Sequence, residues 1–300
     1  MRYRNNSNFK LAPYYAWVDA GGKVVKPFYG LRKLRSLLNI QERLINKNST
    51  TAILCFSEPP SLDVDTFPWW GHYEIIPVVW DCWPKYWDYT EQWFQRHGVR
   101  SAVFTSSQTA DEFRRRLPEM NILTITEGIE TKLYKGEKVL TERNVDILLF
   151  GRIAKKYGNL DFGNLRKVVS KDEQSVLQTR SDLINALADA KVVLNVPRCD
   201  MQPELAGGIE TLTQRYWECM LSGVVMLGRS PKELTDLIGY DPTVPLIGKH
   251  IEGQIRDIIV HIEKYQPLVD KNKETALALG DWTFRVETIK KWLRGGGYNI

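Results

Sequence analysis

The sequence predicts an α/β protein of two Rossmann-like, doubly wound domains facing a cleft. Short, continuous apolar runs recur along the chain and alternate with stretches of helical periodicity. Runs that are apolar throughout, instead of at every second residue, belong to parallel strands covered on both faces. A charged, irregular stretch from Glu130 to Asn144 breaks this rhythm, which then restarts. The expected division is therefore 1–136 and 137–281, followed by a closing helix within 282–300.

From Leu31 to Asn46, Leu34, Leu37, Leu38, Leu44 and Ile45 recur at helical spacing, and Thr51 to Phe56 reads as the first buried strand. After Ser57-Glu58-Pro59-Pro60 and a stretch rich in Pro and Trp, the apolar run Ile75 to Trp80 ends in Asp81. A helix over Tyr86 to His97, a strand over Ser101 to Phe104, a helix over Thr109 to Leu117 and a strand over Ile122 to Ile125 complete the first domain. The second begins with the strand Asp146 to Phe150, which ends at Gly151. It continues with a helix from Ser181 to Ala190, a strand from Val192 to Val196 and a loop containing Pro and Gly. A helix from Leu212 to Leu221 and a strand from Val224 to Leu227 follow. The last helix, Trp282 to Leu293, carries Val286, Ile289, Trp292 and Leu293 on one side. Two such domains take a ligand in the cleft at the carboxyl ends of their strands.

Composition bounds the function. Three hundred residues with 43% hydrophobic and 26% charged content give room for two small α/β domains. The net charge of +5 suits attraction to phosphate, anionic lipid or an acidic glycan. Lys and Arg are scattered among nearly as many acids, with no basic stripe or tail, which argues against a nucleic-acid binder. Cys55, Cys82, Cys199 and Cys219 form no Cys-x-x-Cys pair, so reduced, mostly buried thiols are expected. None of His72, His97, His250 or His261 lies in metal-ligand spacing, and each reads as a surface or core residue. A polar start and the lack of any apolar run of membrane-spanning length point to the cytoplasm. The ten Trp read chiefly as core and interface residues.

The stretch Glu210-Thr211-Leu212-Thr213-Gln214-Arg215-Tyr216-Trp217-Glu218 carries the chemistry. Two carboxylates flank an expected helix start, with Gly207 and Gly208 just before it. Thr211 and Gln214 have the spacing of a capping box, placing the helix start near Leu212 with its backbone N–H groups toward the cleft. Such an end attracts phosphate, and the glycine pair lets the backbone approach a ligand closely. Glu210 then lies outside the helix and Glu218 about two turns inside it, where two acceptors can hold two hydroxyl-bearing ends of one elongated ligand.

Gly207 to Gly223, with Phe150-Gly151-Arg152 upstream, resembles the donor site of the family 4 retaining glycosyltransferases, which have the two-domain GT-B fold. A weaker likeness extends to Val103 to Ser107, Ile125 to Ile129 and Trp282 to Arg285. The resemblance implies that Glu210 contacts the transferred sugar and Glu218 the ribose. It implies that backbone amides of Thr211, Leu212 and Thr213, with Gly207 and Gly208, line the donor loop. Arg152 and Lys156, or Lys155 in place of the latter, would neutralise the diphosphate. Trp80-Asp81 stands where many members have His before Asp, so Asp81 is the candidate to touch the transferred sugar or acceptor. Thr211 and Thr213 replace small glycines of the family pattern. The final helix, 282–300, would return to the first domain. Gly21-Gly22 reads as a hairpin turn or, by the same resemblance, as a first-domain glycine loop near the diphosphate.

The implied activity is transfer of a hexosyl-type sugar from a nucleoside-diphosphate sugar to a glycan, lipid-linked or small-molecule acceptor, as in polysaccharide biosynthesis. The acceptor would attack the face that the leaving phosphate vacates, so the configuration is retained without a protein nucleophile. The departing phosphate would take the acceptor's proton. No cofactor is expected, because the nucleotide-sugar is a substrate, and no metal, because Arg and Lys neutralise the leaving group. Fixed cations in a dry cleft stabilise the charge that develops there. Peripheral membrane contact would accompany a lipid-linked acceptor. Two other classes remain open: an epimerase or hydrolase of nucleotide-sugars on the same fold, and a non-catalytic partner that binds nucleotide-sugar.

Overall fold

A computed structural model describes residues 11–24, 52–67, 69–71, 73–134, 136, 138–170, 177, 179–248 and 250–298. The helix expected at 31–46 and His72 lie outside them. The described residues fall into two compact units that interleave along the sequence. Pro13–Glu127, Glu204–Thr211 and Arg285–Ile300 belong to the first, while Gly128–Pro203 and Leu212–Phe284 make up the bulk of the second. The loop bearing Glu210 therefore counts with the first unit, and the chain from Leu212 with the second. No helix among the described residues is long and apolar enough to cross a membrane.

In the first unit, α1 (Ala12–Asp19) is followed by β1 (Ala52–Ser57), β2 (Glu74–Val79), α2 (Trp87–His97), β3 (Ser101–Phe104), α3 (Ser107–Arg116) and β4 (Asn121–Thr124). The four strands pair in chain order, all parallel. β2 is buried along its whole length, which is why it lacks alternation. Pro77 sits inside it and has no N–H to give a ladder, and the β2–β3 register covers only Val78 and Val79, just beyond it.

An aromatic core fills this unit. The rings of Phe104 and Phe113 stack at 4.7 Å, and the Trp93 ring stacks on His97 at 4.1 Å. His97 is thus a core residue, its Nδ1 2.8 Å from the Trp93 carbonyl oxygen. Most of the tryptophans here serve packing, and the Trp93 indole donates to Asp63 at 2.7 Å. Cys55 and Cys82 are buried free thiols, both pushed up to about 12 chiefly by burial.

Gly21-Gly22 is not a hairpin turn but the end of α1. Gly21, at φ +83°, donates to the Val18 carbonyl and Gly22 to the Trp17 carbonyl, the paired bonds of a Schellman motif.

The second unit contains β5 (Val145–Phe150), α4 (Gly151–Tyr157), β6 (Lys167–Ser170), α5 (Arg180–Asp189), β7 (Ala190–Asn195), α6 (Gln214–Leu221), β8 (Val225–Gly228), α7 (Lys232–Ile238) and β9 (Val244–Pro245). α8 (Ile251–Val260), α9 (Gln266–Leu279) and the first residues of α10 (Trp282–Gly295) close it. Its parallel sheet has the order β6-β5-β7-β8-β9. From Arg285 on, α10 bonds within the first unit: Arg285 to the Thr126 hydroxyl at 2.8 Å and Trp292 to Asn121 at 3.1 Å.

Candidate functional site

The second sheet turns back on itself at β5. The chain leaves β5 for β6 on one side and crosses to β7 on the other, so the carboxyl ends of β5 and β7 form the switch point where α/β sheets bind ligands. Gly151 and Arg152 follow β5 directly, and α6 is reached through the loop after β7.

α6 begins at Gln214, with Thr213 as its N-cap at φ −91°, ψ 158°, and not at Leu212 as the capping-box spacing predicts. The reason is tertiary. The Thr211 hydroxyl donates to the Thr105 carbonyl at 3.4 Å, so it is not a helix cap. Leu212 is fully buried, and its N–H donates to Glu233 Oε2 at 2.8 Å. These anchors keep 211–213 extended and delay the helix by two residues. The Leu212 amide is thereby bound to the protein's own carboxylate.

Arg152 lies half-buried on the first turn of α4, whereas Lys155 and Lys156 are exposed on its last turn. Lys156 Nζ sits 5.3 Å from the centre of the Tyr157 ring. Sequence reasoning missed Arg215. Its guanidinium carbon lies 4.2 Å over the Phe150 ring, and Nη2 is 2.5 Å from where a Cβ on Gly151 would stand. The turn after β5 and the first turn of α6 are thus in contact, and the φ of +59° at 151 favours glycine there. The available signal was the spacing of Arg215 to Glu218 on one helix face.

Glu218, half-buried, accepts from the Tyr134 hydroxyl at 3.1 Å. Burial raises its pKa above the usual carboxylate range, while Arg215, the Tyr134 hydrogen bond and Arg180 oppose that rise. The Tyr134 phenol is raised too, first by burial and then by the Glu218 charge. Burial lowers the pKa of Arg215, which leaves it a desolvated cation.

The remaining candidates gather in the first unit. Asp81, at φ +49°, is the one non-glycine residue with positive φ among the described residues. The next carbonyl, that of Cys82, accepts from Thr109 Oγ1 and from Trp87 Nε1, both at 3.2 Å, which clamps the turn. Asp81 borders an indentation lined also by Thr105, Ser106, Thr109, Ile209 and Thr211. Backbone strain held by its surroundings in this way is characteristic of functional sites. The Glu210 N–H donates to Gln108 Oε1 at 2.6 Å, fixing its loop to the start of α3. Gly207, at φ +55°, and Gly208 are both exposed. Asp81, Gly207, Gly208, Glu210 and Thr211 thus form one group, and Arg152, Lys156, Leu212, Thr213 and Glu218 lie in the other unit.

No protein-family model and no curated protein matches the chain. Solved structures do match. Anabaena HepE in complex with UDP is 12% identical with a TM-score of 0.59, covering 91% of this chain and 86% of that one. A glycosyltransferase from Rickettsia africae is 10% identical with a TM-score of 0.54, over 95% and 93%. Sucrose-phosphate synthase from Thermosynechococcus elongatus is 11% identical with a TM-score of 0.53, over 81% and 73%. At such identities the likeness is one of fold, and the two parallel sheets of this chain are similar to those of the GT-B glycosyltransferases.

Proposed function

We propose that this chain is a retaining glycosyltransferase of the family 4 type, moving a sugar from a nucleoside-diphosphate sugar to a hydroxyl of a glycan, lipid-linked or small-molecule acceptor. The observation that carries this reading is the contact of Arg215 with Gly151, which brings the turn bearing Arg152 against the first turn of α6 at the switch point of the sheet. In it, Arg152 and Lys156 neutralise the leaving diphosphate, Thr213 and α6 offer the positive end of a helix, and Glu218 takes the ribose. Glu210 positions the transferred sugar, with Asp81 at the sugar or acceptor. The acceptor oxygen bonds to the anomeric carbon on the face from which the diphosphate leaves. That diphosphate takes the acceptor's proton, and metal is not required. Loss of Arg152 then costs about tenfold to a hundredfold in rate or affinity, the size of one hydrogen bond to a charged group.

The test is incubation with radiolabelled nucleoside-diphosphate sugars and an acceptor panel. Glycoside formation, reduced in Glu210→Gln and Glu218→Ala with the fold intact, supports the reading. Undiminished turnover in both variants removes the site assignment. Isomerised or hydrolysed donor without any glycoside identifies an epimerase or hydrolase, and nucleotide binding with no donor turnover identifies a binding partner.

A further inference from the structure

The loop that carries Glu210 is held at two consecutive residues by the turn between β3 and α3. The Glu210 N–H donates to Gln108 Oε1 at 2.6 Å, and the Thr211 hydroxyl donates to the Thr105 carbonyl at 3.4 Å. All four residues belong to the first unit. Glu210 stands outside any helix or strand, just after the exposed pair Gly207 and Gly208, so its own stretch of backbone does little to fix it. Gln108, by contrast, sits on the first turn of α3, whose N-cap, Ser106, accepts from the Thr109 N–H at 3.5 Å. Thr109, the next residue, holds the Asp81 turn through the Cys82 carbonyl at 3.2 Å. The start of α3 thus grips both segments that carry the candidate carboxylates of this unit.

We propose that Gln108 is a positioning residue: its carboxamide oxygen fixes the Glu210 peptide and so sets where the Glu210 carboxylate points. This rests on the role given to Glu210 above and adds the group that orients it. A bond at the Glu210 amide and another at the Thr211 hydroxyl pin the chain on both sides of the Glu210 Cα. Rotation about the side-chain bonds is then the main freedom left to the carboxylate. Gln108 is exposed, and a solvent-facing bond made by a long side chain adds little to net stability. Its effect falls on orientation, where a displacement of about 1 Å costs about a hundredfold in rate. An acceptor oxygen is the property required at 108, because the donor is a backbone N–H.

The test compares the full wild-type chain with Gln108→Met, which keeps the length and removes the acceptor, Gln108→Glu, which keeps an acceptor oxygen, and Glu210→Gln. Turnover of nucleoside-diphosphate sugars gives kcat and KM, and hydrogen–deuterium exchange of the peptide covering 207–212 reads the bond itself. Gln108→Met should lower kcat about tenfold or more with donor KM within about threefold, the pattern of an interaction that counts in the transition state. It should also speed exchange of that peptide. Gln108→Glu should restore slow exchange and bring kcat back to within about threefold of wild type. Unchanged kcat or unchanged exchange in Gln108→Met, or a Gln108→Glu variant as slow as Gln108→Met, would each overturn the proposal. A fall in kcat that comes with a lower melting temperature would make Gln108 a part of the fold and overturn it too. If Glu210→Gln turns over donor as wild type does, or wild type turns over none, the role of Glu210 falls. Faster exchange in Gln108→Met would even then keep Gln108 as the residue that holds the Glu210 peptide.

Discussion

The Tyr134 hydroxyl donates to Glu218 Oε1 at 3.1 Å, tying the segment before β5 to the middle of α6. This bond supplies one acceptor site of a carboxylate whose burial works against its charge. A carboxylate kept in that state depends on the Tyr134 hydroxyl for part of what water would otherwise supply.

The same burial gives Glu218 a signature in stability against pH. Its folded pKa lies above the ordinary value of 4.5. Its contribution to stability is therefore fully present below that value and is lost as pH rises through the raised one. Glu218→Gln, which cannot ionise, should melt with wild type near pH 4 and above it at pH 8. A variant melting lower than wild type at pH 8 would mean that the Arg215 and Arg180 charges outweigh burial.

The strands of the second sheet were legible in sequence because each is an unbroken apolar run, as Ile147 to Phe150 and Val192 to Asn195 show. The start of α6 was not. What holds 211–213 extended is the Thr105 carbonyl and the Glu233 carboxylate, neither within reach of a local pattern. Arg215 escaped notice because its aromatic partner, Phe150, is on another strand. The left-handed turn at Asp81 depends on donors from Trp87 and Thr109, which only the folded chain brings together. Glu210, Glu218 and Arg152 were readable as candidates because glycines and a helix stand beside them, but their division between two compact units was not.

Glu112 should show the opposite pH dependence. Arg115 donates to it at 2.6 Å and Arg116 at 2.6 Å, and these bonds hold its pKa down to about 2 from 4.5. Its contribution is present above 4.5 and is lost as pH falls toward about 2. Solvent screens this site, so Glu112→Gln should cost only about 0.5–1 kcal/mol at pH 7. Urea melts at pH 7 and pH 2.5 should show the difference shrinking, and a constant difference would exclude an ionic origin.

Arg143 is a buried structural cation, its pKa pushed down to about 10 chiefly by burial. It donates to the Ala190 and Ser222 carbonyls, each at 2.8 Å, and to the Lys138 carbonyl at 3.1 Å, near the carboxyl ends of α5 and α6. Arg143→Met orphans these carbonyls, at about 1–3 kcal/mol for each one left unsatisfied. The urea midpoint should fall by the equivalent of about 3 kcal/mol or more with an unchanged m-value. Arg143→Lys should recover little, because one ammonium cannot reproduce the spread of the guanidinium fork. Full recovery in that variant would mean that charge alone, and not the set of carbonyls, matters here.

Asp81 separates the work of a backbone from that of a carboxylate. Its φ of +49° suits glycine, is tolerated by aspartate and costs alanine about 1–2 kcal/mol. Asp81→Gly should therefore match or exceed wild type in thermal stability, and Asp81→Ala should fall below both. Turnover of the sugar donor should drop in the two variants alike, by about a hundredfold if the carboxylate manages a proton and less if it only orients a hydroxyl. Equal stability of the two variants would show that the left-handed turn costs nothing. Wild-type turnover in Asp81→Gly would show that the strain at this strand end serves the fold, with no part in transfer.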